Sequence, residues 1–214
     1  METNKIKIRT LLLCLGPVIA VEVLFRTVPY PVVRHPMMVL GVVRLMEAGL
    51  IIMIVRIREK GLTSIGLSLK GILPGIKRGC VWSAGFALVV LLGGVLAYLM
   101  GIHPLTFIHT RLPSTPGHIL LFFIVGGLIG PITEEIFFRG VLYGFFRRWG
   151  ALSAILLSTL AFVLVHPVFP AIPITQTIGG LLFASAYEVE KNLMAPITIH
   201  MLGNMAIFAL SLVG

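Results

Sequence analysis

Glu134, Glu135 and Arg139 stand in the middle of one long apolar run, ILLFFIVGGLIGPITEEIFFRGVLYGFF. A single charge at the centre of a membrane helix costs about 2.5–3.5 kcal/mol on insertion scales, and the protein interior must supply it with a partner. Two adjacent carboxylates at such a depth point to a functional site. Helical spacing separates their roles. Glu135 and Arg139 are four apart and share a face, so Arg139 can neutralise Glu135. Glu134 is turned about 100° away and faces a different neighbour. The run therefore holds one braced carboxylate and one free one. Taken alone, the trio also fits a structural ion-pair network.

Further polar residues follow in later apolar segments. His166 closes AFVLVHP, with Phe162 one turn earlier on the same face. His200 and Asn204 are four apart within LMAPITIHMLGNMAIFALSLV and face one way. Each alone has a plain reading: a helix-end histidine held by backbone or water, and polar glue between helices. Together the segments assemble a free carboxylate, a braced carboxylate, two imidazoles and an amide. That set can activate water and stabilise an oxyanion.

The elements that must position these groups are membrane helices. The chain has 214 residues, of which 57% are hydrophobic and 12% charged, with a mean hydropathy of +1.04. This excludes an ordinary soluble domain and fits an all-α, polytopic transmembrane bundle forming one integral domain over 1–214. Long apolar runs, not short alternating ones, exclude a transmembrane β-barrel. All eight acidic residues are Glu, so carboxylate chemistry rests on Glu alone. Seven spans are expected, at about 9–26, 37–55, 80–101, 118–146, 151–169, 173–188 and 193–213, each near the ~20 residues a crossing needs. The first has a basic start like a signal peptide. It is read as a retained span, because the run is long and no small-residue cleavage site follows. Gly126, Gly127, Gly130 and Pro131 are expected to break or tilt the long fourth span just before the glutamates.

Charge sets the orientation. With the N-terminus inside, Lys5, Lys7, Arg9, Arg56, Arg58, Lys60, Lys70, Lys77, Arg78, Arg147, Arg148 and Lys191 lie inside, against Arg26, Arg34 and Arg111 outside. This is a strong positive-inside bias, placing the C-terminus outside. The net charge of +9 is thus juxtamembrane and touches anionic lipid, with no nucleic-acid partner implied. The basic, Gly-punctuated segment 56–79 is expected to form a short amphipathic helix on the cytoplasmic surface. Arg44 and Glu47 should pair within the second span, and Glu22 should sit at the interface. His103, His109 and His118 read as solvated loop residues. Cys14 and Cys80 suggest neither a disulfide framework nor a zinc ribbon.

EEIFFR, FVLVH and HMLGN are, in order, E-E-x-x-x-R, F-x-x-x-H and H-x-x-x-N. This resembles the CPBP family of intramembrane endopeptidases, also called the Abi or CAAX prenyl protease 2 (type II CAAX) family. The resemblance covers about 118–207, the expected catalytic core, and extends loosely to 61–79. It implies that Glu134 polarises water beside His166, that His200 and Asn204 bind the oxyanion, that Glu135 and Arg139 support the site, and that Phe162 packs under the histidine. No motif position departs from the pattern. Two mechanisms are open. One is a zinc metalloprotease with Glu134, His166 and His200 as ligands. The other, favoured here, is a glutamate-dependent hydrolase without metal, because no H-E-x-x-H helix is present and Asn204 suits only a donor's role. The implied substrate is a membrane-anchored protein or peptide in a prokaryotic plasma membrane, with cleavage of a C-terminal sorting signal as one specific form. The competing classes are a proton- or ion-coupled transporter and a non-catalytic immunity protein. Straight helices between these boundaries leave His166 and His200 at different depths.

Overall fold

Proline and glycine punctuate the described helices, and long apolar runs fill them. The computed structural model describes residues 6–27, 35–103, 110–166 and 173–212, with backbone only for 24–27. Lys5, Arg34, His109 and the end of the fifth expected span therefore lie outside the described residues, as does the side chain of Arg26. The helices are α1 (Ile8–Thr27), α2 (Pro36–Arg58), α3 (Ile72–Leu99), α4 (Pro116–Trp149), α5 (Ala151–Leu164), α6 (Ile174–Glu190) and α7 (Met194–Leu210). No strand occurs among the described residues. The fold is the expected all-α bundle, and its helices coincide with the expected spans to within a few residues at most ends. α3 starts earlier in the sequence than expected, at Ile72. By length and composition α2, the 62–99 stretch ending in α3, and α4 are able to cross a membrane, while α5 and α7 are shorter apolar helices.

Two expectations change form. The short surface helix between α2 and α3 is present as two 3-10 turns, Leu62–Ile65 and Leu69–Gly71. Gly61, Gly66 and Lys60 take left-handed or otherwise positive φ there, which breaks α-helical continuation. The segment is also only partly on the surface. Ile65 is fully buried, and Gly66 approaches so closely that a Cβ would lie 2.9 Å from the Lys191 carbonyl. The fourth span is not broken. It runs on as one helix that widens into π geometry at Val125–Ile129 and again at Ile136–Tyr143, on either side of Gly130–Glu135. Such π segments are rare and recur at functional sites.

The tucked 62–71 segment resolves the depth of His200. The Leu193 N–H donates to Gly66 O at 3.0 Å, and Asn192 Nδ2 donates to Gly71 O at 2.8 Å. The α6–α7 turn is thus roofed by chain, and Leu193, Ala195 and Ile197 are buried. α7 begins inside the protein, not at its surface. His200, about 9 Å further along the helix at 1.5 Å per residue, then reaches the level of Glu134 and His166.

α3 reaches this region through its glycines. A Cβ at Gly75 would sit 2.5 Å from Asn192 Oδ1, and one at Gly79 would sit 2.6 Å from Thr198 Cβ and 2.8 Å from the Ala195 carbonyl. Small residues one turn apart let membrane helices pack backbone to backbone. Gly79→Val is therefore expected to push α3 off α7 and to cost about 1–3 kcal/mol, the usual range for overpacking. Gly93→Ala, with nothing within 4 Å, should cost little. Thermal denaturation in detergent checks both, and equal melting temperatures for the two variants would contradict the packing account.

Candidate active site

The Gly130–Glu135 stretch of α4 carries both carboxylates. Glu135 is fully buried, and so is Arg139. Arg139 Nη1 donates to Glu135 Oε1 at 2.8 Å, and Arg139 Nη2 donates to the Gly180 carbonyl of α6 at 3.2 Å. The guanidinium lies over Phe162 at 4.7 Å and Phe183 at 5.3 Å. A buried charge persists only when paired and hydrogen-bonded, and these contacts supply that. α6 comes close enough because residue 180 is glycine: a Cβ would meet Thr159 Cγ2 at 2.8 Å.

His200 bridges the two glutamates. Its Nδ1 lies 2.8 Å from Glu135 Oε1, and its Nε2 lies 3.9 Å from Glu134 Oε2. A carboxylate accepts, so Nδ1 carries the proton and Nε2 of the neutral ring presents a lone pair toward Glu134. Phe183 stacks on the imidazole at 4.5 Å and 20°, fixing the ring plane. The two carboxylates are therefore not as separate as their helical angles imply, since one imidazole touches the first and points at the second.

His166 is set in the same way from α5. Its Nδ1 donates to the Phe162 carbonyl at 2.7 Å, which again leaves Nε2 facing Glu134 Oε2, at 3.8 Å. The Phe162 ring packs against it at 4.6 Å and edge-on to His200 at 5.8 Å. The Glu134 side chain is 20% exposed and that of His166 is 32% exposed, so this end of the cluster opens outward while Glu135 and Arg139 close it below. Three acceptors from α4, α5 and α7 thus converge on one point.

Asn204 is not in that trio. One turn beyond His200 on α7, its Nδ2 donates to the Gly126 carbonyl at 2.8 Å. On the other flank of α4, the Thr133 hydroxyl lies 3.0 Å from the Arg44 carbonyl of α2. Arg44 pairs with Glu47 at 2.7 Å and with Glu22 at 2.6 Å, and it lies within electrostatic reach of Glu134. Glu22, expected at the interface, joins the expected Arg44–Glu47 pair. Of the expected loop histidines, His118 lies in the first turn of α4 with Thr115 Oγ1 2.6 Å from its Nδ1.

Three contributors were not singled out from the sequence: Phe183, the Gly180 carbonyl and the Gly126 carbonyl. The pair Gly179-Gly180 followed by Phe183 on one helical face was the available signal for the first two. The third is a backbone group.

A polytopic helical protein with a buried Glu–Arg–His cluster, opening at a second Glu–His pair, is the class that fold and geometry define. Residues 116–206 match the family model described as type II CAAX prenyl endopeptidase Rce1-like. Residues of this chain are 38% identical over 93 positions to the membrane-embedded CAAX protease MroQ of Staphylococcus aureus (strain USA300), covering 40% of this chain and 36% of that protein. They are 28% identical over 150 positions to the "Putative membrane peptidase YdiL" of Bacillus subtilis (strain 168), covering 70% and 59%. The matched stretches thus span less than two thirds of either relative's length. No solved structure matches the chain significantly. Residues 116–206 thus resemble the type II CAAX endopeptidases, within a chain whose long apolar helices are those of an integral membrane protein.

Proposed function

We propose that this chain is an intramembrane endopeptidase that hydrolyses a peptide bond of a membrane-anchored protein or peptide with water activated by Glu134. The observation that carries this reading is the convergence of His166 Nε2 and His200 Nε2 on Glu134 Oε2, at 3.8 and 3.9 Å. A water molecule placed among these lone pairs can donate a hydrogen bond to Glu134 and another to an imidazole. Glu134 takes one proton as the water oxygen attacks the scissile carbonyl. The imidazoles hold the water in place, and the second N–H of Asn204 stabilises the oxyanion. Collapse of the tetrahedral intermediate breaks the C–N bond, and the proton held on Glu134 passes to the leaving amine. Glu135, held by Arg139, keeps His200 in the required tautomer.

Zinc is the second reading, because three lone pairs also suit a cation. Ligand atoms about 2.0–2.1 Å from a tetrahedral zinc lie about 3.3 Å apart, closer than the separations from Glu134 Oε2. Among the described residues no group of three His, Cys, Asp or Glu side chains is placed to hold a metal ion. These wider separations favour the metal-free reading, whose steps need no zinc. Cleavage by the purified protein is accordingly expected to survive strong chelation. Loss on chelation, restored by added zinc, would reverse this choice.

The substrates we propose carry a C-terminal membrane anchor, such as a sorting signal. The setting is a prokaryotic plasma membrane, with the N-terminus inside and residues 118–207 as the catalytic core of one integral domain. Mass analysis of co-expressed anchored candidates, with wild type against Glu134→Gln, tests the function. Ion flux in liposomes without peptide cleavage would replace it with a transporter. Toxin protection retained by the Glu134→Gln variant would replace it with a binding role.

A further inference from the structure

Asn204 has a partner created by a missing one. In an α-helix the Gly126 carbonyl would accept the N–H of Gly130. Here the Gly130 N–H goes one residue further back, to Val125 O, in π register. The next donor in that register, the one that would reach Gly126 O, is residue 131, and Pro131 has no N–H. The Gly126 carbonyl is therefore left open in both registers. A carbonyl inside a membrane protein, away from water, must find a donor. Asn204 Nδ2 supplies it at 2.8 Å.

α4 and α7 pack closely on both sides of this bond. A Cβ at Gly126 would lie 3.3 Å from the Phe208 ring, and one at Gly127 would lie 2.7 Å from Met205 Cε. Both neighbours are on α7 beside Asn204, so α4 and α7 meet here backbone to side chain. Among the described residues the second N–H and the Oδ1 of Asn204 make no further hydrogen bond. One N–H is thus pinned, the amide plane is fixed, and one donor remains free on the helix face that carries His200.

We infer that Pro131 is a positioning residue for Asn204: by withholding a backbone proton it reserves the Gly126 carbonyl as the anchor that orients the Asn204 amide. This rests on the reading of Asn204 as an oxyanion donor. Pro131→Ala restores an N–H at 131 that competes for Gly126 O. The expected result is a kcat lowered by about 10–100-fold with KM unchanged, since a misplaced oxyanion donor acts on the transition state alone. The melting temperature should hold or rise, because a helix-interior proline is removed. In the Asn204→Ala background Pro131→Ala should add nothing, and Pro131→Gly, which also supplies the N–H, should behave as Pro131→Ala does. An equal loss in both backgrounds would overturn the inference, as would an unchanged kcat in Pro131→Ala where Asn204→Ala itself lowers it. A readout independent of turnover separates the two ideas. The side-chain amide resonance of Asn204 in 15N-asparagine-labelled protein, assigned by its loss in Asn204→Ala, should shift in Pro131→Ala. If it stays in place, the positioning role falls. If it shifts while Asn204→Ala cleaves normally, only the oxyanion reading falls.

Discussion

Glu134→Gln is expected to lower cleavage by about 10³-fold or more, within the roughly 10²–10⁴-fold that a single general base contributes, while the protein inserts and folds as before. The substitution keeps size and shape. It removes only the ability to take a proton, which is the step assigned to this side chain. Gln also turns one acceptor of the converging trio into a donor. Its amide N–H can bond directly to His166 Nε2 or His200 Nε2, now 3.8 and 3.9 Å away, and so close the gap proposed for water. Stability should not suffer, because a partly buried charge is replaced by a neutral group. Single-turnover cleavage of an anchored peptide, together with the melting temperature in detergent, measures both halves. Turnover within tenfold of wild type would remove Glu134 from the chemistry. Loss of turnover with loss of fold would be uninformative about chemistry, and the milder Glu134→Asp, which retains the base but withdraws it, then decides: partial activity supports the assignment, and full activity contradicts it.

The sequence made some of this arrangement legible and concealed the rest, for physical reasons. Spacing of four residues placed Glu135 with Arg139, Phe162 with His166, and His200 with Asn204 on common helix faces, because 3.6 residues make a turn. Charged residues stood out because an apolar background makes each one costly. Long apolar runs gave the helices to within a few residues at most ends. The depth of His200 was not legible, since it depends on a nonlocal cover: residues 62–71 fold over the α6–α7 turn and hold Leu193 and Asn192 by backbone contacts. The contribution of α6 was equally hidden. Gly180 acts by what it lacks and by its carbonyl, and Phe183 looks like any core aromatic until its ring is seen flat on His200. The glycines and proline of α4 were read as a break or a tilt; the chain is unbroken there and runs on as a widened helix. Such adjustments are tolerated in membrane helices when neighbours satisfy the freed groups, as Asn204 does here.

Glu135 and Arg139 should carry the largest stability effect. Neither is exposed at all. Glu135→Ala would leave a guanidinium sealed in apolar surroundings with only the Gly180 carbonyl and aromatic faces for company. Breaking one side of a buried pair costs about 3–5 kcal/mol, because the stranded charge keeps its desolvation penalty. The site already runs close to that limit, as Glu135 Oε2 and Arg139 Nε have no hydrogen-bond partner among the described residues. Removing both charges is a different matter. Glu135→Gln with Arg139→Met replaces the pair by a neutral amide and an apolar chain of similar reach, and buried pairs replaced in this way often hold or gain stability. The double variant should therefore recover most of the stability lost in Glu135→Ala. It should not recover activity, because an amide at 135, no longer held by Arg139, can turn its N–H toward His200 Nδ1 and reverse the tautomer that points Nε2 at Glu134. Denaturation in detergent combined with cleavage rates separates these outcomes. A Glu135→Ala protein as stable as wild type would show that the pair does not hold the helices. A double variant with full activity would show that the pair serves the fold alone and that His200 needs no carboxylate behind it.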